Sequence, residues 1–108
     1  MSGFFYFHSM ILYNVTAAVD EEVHDEWLEW MQKFHIPQVL ATDRFTECKI
    51  FRVLLNSESD ITYSIQYFAD SMADLQLYEA VHADVLRKEH SARYGDKVLT
   101  FRTVLEQV

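Results

Sequence analysis

Apolar, β-branched and aromatic residues run without a breaker through "MILYNVTAAV" (10–19), which predicts a first β-strand. From Asp20 the apolar period lengthens. Asp20 offers an N-cap, Glu21 and Glu22 fall in a first turn where the helix dipole favours acid, and apolar positions then recur at helical spacing to about His35. Pro37 stands at the first position of a further short helical turn, "PQVLAT", where a missing N–H removes no hydrogen bond. Two β-rich runs, "RFTECKIFRVLL" (44–55) and "ITYSIQYFA" (61–69), are separated by the polar "NSESD" and read as antiparallel neighbours joined by a hairpin connection. Asp70 or Ser71 caps a second long helix to about Tyr94, Gly95 stops it, and "KVLTFRTVLEQ" (97–107) makes a fourth strand.

The order βαββαβ predicts an α+β, ferredoxin-like domain: one antiparallel sheet with both helices on one face. The other face should meet water, yet the strands carry apolar side chains at both parities. On strand one the two sets are Ile11, Tyr13, Val15 and Leu12, Asn14, Thr16; on strand two, Phe45, Phe51, Val53 and Cys48, Ile50, Leu54; on strand four, Val98, Val104 and Leu99, Phe101, Leu105. A cover for the second face is therefore expected. The simplest is the same sheet of another copy, giving a homodimer of the dimeric α/β-barrel kind.

"VHDEWLEWMQKFHIP" (23–37) is dense in chemistry. At about 100° per residue, Val23, Trp27, Trp30, Met31, Phe34 and both histidines share one arc, while Asp25, Glu26, Glu29 and Lys33 take the other side. His24 and His35 lie about 16 Å apart along the helix axis, too far to share a metal ion. Both are expected in boundary packing or solvent contact. On the second helix His82 falls in the middle of an inner arc with Met72, Leu75, Tyr78, Val85 and Leu86, where a titratable group needs a hydrogen-bonding partner or a ligand. His90 and Tyr94, near that helix's end, need no functional explanation, because the dipole favours a cation there. Polar positions on the strands, Asn14, Thr16, Thr62, Ser64, Gln66, Arg52 and Arg102, would also need partners if buried.

Length and charge narrow the function classes. A chain of 108 residues, half apolar and without a linker-like tract, is one domain's worth. We assign residues 10–108 to it and residues 1–9, "MSGFFYFHS", to an arm or an upstream-start extension, since they lack the basic, apolar and cleavage regions of a signal peptide. Seventeen acidic against nine basic residues give a net charge of -8, which repels nucleic acid and anionic membrane surfaces. Cys48 stands alone, so no intrachain disulfide or thiolate zinc cluster forms, in keeping with a reducing cytoplasm.

The segments "MILYNVT", "EEVHDEWLEWM", "HIPQVLAT", "ITYSIQYF", "SMADLQLYEAVHADVLRKEHSARYGDK" and "FRTVLE" together resemble a family of small bacterial proteins known as a domain of unknown function. The resemblance runs from Met10 to about Glu106 and implies a dimeric α/β-barrel fold. More distantly, "YEAVH" resembles the antibiotic-biosynthesis and haem-degrading monooxygenase superfamily, in which a second-helix histidine is paired with a strand-one asparagine and a tryptophan on or just after strand three. Asn14 and His82 match the first two roles. Tyr67 and Phe68 stand where the tryptophan would be, so haem is not carried over, and neither a cofactor nor a metal is expected.

The resulting expectation is a dimer binding a small apolar or aromatic molecule between helices and sheet, in the manner of a cofactor-independent monooxygenase or isomerase. His82 would be the catalytic base or hydrogen-bond donor, Asn14 and Tyr63 would orient the ligand, and Trp27 and Tyr78 would form walls. The competing readings are a non-enzymatic interaction module and, third, a haem-binding protein.

Overall fold

The computed structural model describes residues 9–54 and 61–108. The expected N-terminal arm, apart from Ser9, and the "NSESD" connection lie outside the described residues. Strand β1 (Ile11–Val19) leads through a short turn into α1 (His24–Trp30), a π-helical turn (Met31–His35) and α2 (Ile36–Leu40). Then follow β2 (Glu47–Arg52), β3 (Ile61–Ala69), α3 (Met72–Val81), α4 (Ala83–Tyr94) and β4 (Val98–Glu106). The strand order is β2-β3-β1-β4 with every pairing antiparallel, the ferredoxin-like arrangement expected from the sequence.

Local chemistry accounts for most boundaries. The Asp20 side chain accepts a hydrogen bond from the Glu22 amide at 2.8 Å, and the Ser71 hydroxyl accepts from the Asp74 amide at 3.2 Å, so the turn leading into α1 and helix α3 each begin on a side-chain cap. Gly95, at φ 54°, ends the last helix in the left-handed region that glycine enters freely. Strand β2 is shorter than its composition suggests. Asp43 turns the chain at φ 63°, and Phe45, placed before the strand, swings under the sheet to pack 4.9 Å from the Tyr78 ring. Phe45 therefore parts from Phe51 and Val53, with which simple alternation would group it.

Two departures in the helices reset which residues face the sheet. The first helix does not stop at His35; it widens through the π turn, in which the Ile36 amide bonds the Met31 carbonyl five residues back, and continues into α2. Pro37 supplies a physical reason, since it has no N–H for the Lys33 carbonyl and its ring would crowd that carbonyl in a regular α-helix. The inserted residue turns Phe34 outward, to 57 % exposure, despite its expected place on the inner arc.

The second helix breaks at His82, whose φ of -116° separates α3 from α4. Beyond the break, Ala83 and Tyr94 are buried, Leu86 and His90 are half-buried, and Val85, expected inside, is 70 % exposed. The covered face of the sheet carries Ile11, Tyr13, Ala17, Ile65 and Tyr67, packed against Trp27, Met31, Leu75 and Tyr78. The opposite face presents Leu12, Asn14, Ser64, Phe68, Leu99 and Phe101 with no element over it among the described residues.

Candidate functional site

Between the sheet and its helices the packing leaves a cavity of about 40 Å³. One water needs roughly 10–15 Å³, so the space admits a few waters or one small polar group. Its walls are mainly apolar: Val15 and Ala17 on β1, Ile65 and Tyr67 on β3, Trp27 and Met31 from the first helix, Tyr78 and Leu86 from the second. Into these walls project Tyr13, His35, Arg87, His90, Thr100 and Arg102. Tyr13, Val15 and Ala17 pair with Val104, Arg102 and Thr100 across β1 and β4, so strand parity puts the polar members of β4 on the helix side. Arg102 is exposed on the edge strand and marks the mouth.

Two guanidinium groups converge on one oxygen. Arg87 Nη2 donates to Tyr13 Oη at 2.5 Å and Arg102 Nε donates to the same oxygen at 3.0 Å. Arg87 Nη2 also donates to Glu79 Oε2 at 2.7 Å, forming an ion pair. Arg102 has no carboxylate partner among the described residues; its other bond, from Nη1, goes to the Thr100 hydroxyl at 3.4 Å. Arg87 Nε is buried without a partner. Unsatisfied donors of this kind are uncommon inside folded proteins and point to a group that would complete them.

Two histidines form the opposite wall, with ring centroids 5.9 Å apart. The Trp27 indole N–H donates to His90 Nε2 at 3.1 Å, so that nitrogen is the bare one and Nδ1 carries the proton. Burial lowers the pKa of His90 to about 4, with the Arg102 charge adding to the effect. Burial likewise holds His35 near 4, helped by His90 and Arg102. Both rings are therefore neutral at pH 7. His35 stacks on Trp30 at 5.2 Å and its Nδ1 is buried without a partner. Burial also pushes the Tyr78 phenol up to about 12 and Tyr67 well above its ordinary value, so both remain protonated.

The residues put forward from the sequence divide between three places. Trp27 and Tyr78 line the cavity. Tyr63 is buried beside it, packed on Trp27 and hydrogen-bonded at 2.7 Å to His24 Nε2, which links it to the first helix. Asn14 lies on the open face, where Ser64 Oγ donates to its Oδ1 at 2.6 Å and its own amide donates to Thr16 Oγ1 at 3.0 Å. His82 sits at the helix break beside Tyr78 and lines a separate surface groove with Gln38, Thr42 and Glu89. Asn14 and His82, matched above to one constellation, are thus not brought together in the cavity.

Tyr13, His35, Arg87, His90 and Arg102 carry the cavity's polar chemistry; from the sequence only Arg102 stood among the polar positions that would need a partner if buried, and the other four had no ligand role. Strand parity could have found Tyr13 and Arg102. The helical members were hidden by the π turn and the break, which shift the facing arc. Among the described residues no three His, Cys, Asp or Glu side chains converge as a metal site would require. Burial raises the Cys48 thiol to about 12, so it stays an unreactive thiol at neutral pH.

Sheet order, helix placement and the cavity between them define an α+β protein of the ferredoxin-like class. The chain belongs to the family described as Domain of unknown function (DUF4286), whose model matches residues 10–108. No curated protein matches significantly. Solved structures share the fold at low identity. A dimeric ferredoxin-like protein from an uncultured marine organism superposes with a TM-score of 0.69 at 12 % identity, covering 93 % of this chain and 96 % of its own. A conserved protein of unknown function from Bacteroides thetaiotaomicron, described as a possible oxidoreductase, gives 0.67 at 14 %, covering 93 % and 99 %. An ethyl tert-butyl ether d (ethd) family protein from Bacillus halodurans gives 0.65 at 16 %, covering 91 % and 99 %.

Proposed function

We propose that the protein is a homodimeric small-molecule-binding protein of the dimeric α/β-barrel kind, each copy holding its ligand between sheet and helices. The observation that carries this reading is the cavity itself, where apolar walls meet convergent polar groups and two buried nitrogens, Arg87 Nε and His35 Nδ1, have no partner. Dimerisation is supported by Leu99 and Phe101, 53 % and 65 % exposed on the open face, and by the dimeric state named for the marine relative. No helix among the described residues is long and apolar enough to cross a membrane, and a cytoplasmic location is part of the proposal.

An enzymatic form of this reading, a cofactor-independent monooxygenase or isomerase, is supported by His35 at the cavity wall, a neutral ring whose Nδ1 has no partner and can hydrogen-bond a ligand. That form moves the hydrogen-bonding role from His82 to His35. The description of the Bacteroides relative as a possible oxidoreductase is in keeping with it.

Filling the cavity tests the reading. Trp27 lines the cavity, so the fluorescence of the two tryptophans should report small molecules entering the wild type, and Ala17→Val, which adds volume to the wall, should abolish that response while the protein remains folded by circular dichroism. Native mass spectrometry of protein from its own host should find a retained small molecule in the wild type alone. An unaltered response in Ala17→Val would place binding elsewhere and end the proposal.

A further inference from the structure

We infer that the ligand is a small organic acid, its carboxylate held at the cavity mouth between Arg102 and Arg87 beside the Tyr13 hydroxyl. The inference rests on the small-molecule reading above and names the chemistry its ligand must have.

Charge is the first argument. Arg87 is matched by Glu79, whereas among the described residues Arg102 bonds only the neutral oxygens of Tyr13 and Thr100. His35 and His90 add no charge at neutral pH, so the cavity retains one net positive charge, which a monoanion complements. In a chain with a net charge of -8, a guanidinium without a carboxylate beside it runs against composition.

Donor supply is the second. Arg102 commits Nε and Nη1 and leaves Nη2 open, and Arg87 Nε is a buried donor with nothing to bond. Both guanidiniums already reach one oxygen at 2.5 and 3.0 Å, so their donors converge on a spot the size of an oxygen pair. Size and wall composition are the third. A space of about 40 Å³ takes a carboxylate, and Val15, Met31 and Leu86 would contact the carbon body leading from it. A phosphate monoester carries more charge than the one net positive would neutralise.

Acetate and acetamide, alike in shape, differing in charge and small enough for the cavity, separate the alternatives, with inorganic phosphate as a third probe. Titrated against the intact protein and read by tryptophan fluorescence and calorimetry, acetate should bind at least about tenfold more tightly than acetamide. Arg102 is exposed, so Arg102→Gln should fold normally and bring the two dissociation constants together; Arg102→Lys should restore part of the preference. Equal binding of acetate and acetamide by the wild type would overturn the acid while leaving the pocket intact. Phosphate binding more tightly than acetate, with the same dependence on Arg102, would overturn the carboxylate in favour of a phosphorylated ligand. No response to any probe at millimolar concentration, in wild type and variants alike, would remove both this inference and the reading beneath it.

Discussion

The two faces of the one sheet differ in how their polar groups are satisfied. On the covered side, polar atoms bond between helices and sheet, Arg87 to Tyr13 and His24 to Tyr63, or from helix to helix, Trp27 to His90. On the open face they bond along the sheet itself, Gln66 to Ser64, Ser64 to Asn14 and Asn14 to Thr16, with apolar residues such as Phe68 and Phe101 in the same layer. A set of polar groups that closes on itself asks nothing of a ligand. The covered face does, because its network ends in orphan nitrogens beside a void. On the proposed reading, the open side serves association and the covered side holds the ligand.

The sharpest way to break this contrast is to remove Trp27, which is fully buried and holds His90 in its tautomer. Trp27→Ala should lower unfolding free energy by about 3–5 kcal/mol in urea denaturation. A loss under about 1 kcal/mol would show that the covered face is not the core it is taken to be.

Acid should act on the same face. His35 and His90 have folded pKa values near 4, against about 6.5 in an unfolded chain, so below pH 6.5 the unfolded state binds more protons. Their contribution to stability should be intact above pH 6.5, decline as pH falls and level off near 4. His90→Gln should flatten part of that decline in melting curves taken across the window; an unchanged profile would count against the buried, neutral ring.

Phe101→Asp attacks the open face. It should convert a dimer into a monomer by light scattering at micromolar concentration, with the monomer still folded, because Phe101 contributes nothing to the core beneath. A wild type already monomeric under those conditions would defeat the dimer. Ser64→Ala, which leaves Asn14 Oδ1 without its donor, should cost about 1 kcal/mol in denaturation. The smallest effect is expected at Lys33→Ala, since the exposed Lys33–Glu29 pair on the first helix is worth only about 0.3–0.5 kcal/mol.

Most of the fold was legible because it is written in short-range signals. Runs rich in β-branched and aromatic residues located β1, β3 and β4 to within a residue or two, and the caps at Asp20 and Ser71 and the stop at Gly95 act where their side chains or backbone dictate. The candidate site was less legible for a reason of geometry. Helical projection accumulates error at every departure from 100° per residue, and both helices depart from it. No Gly or Pro marks the break at His82, so Val85 projected inward and Arg87 and His90 did not. Tyr13 and Arg102 were readable by strand parity, which accumulates no such error, but their convergence depends on Arg87 arriving from α4.

The π turn has a consequence for how this site could change over time. Chain length between Trp30 and Ile36 sets the direction in which His35 points, independently of which residues fill the interval. Loss of a single residue there would let the helix close to regular pitch and rotate the downstream segment by about 100°, emptying the cavity wall while barely altering composition. On the proposed reading, relatives that keep His35 but lack the extra residue should recognise different molecules, and alignment gaps at this point, rather than substitutions, should follow the change of ligand.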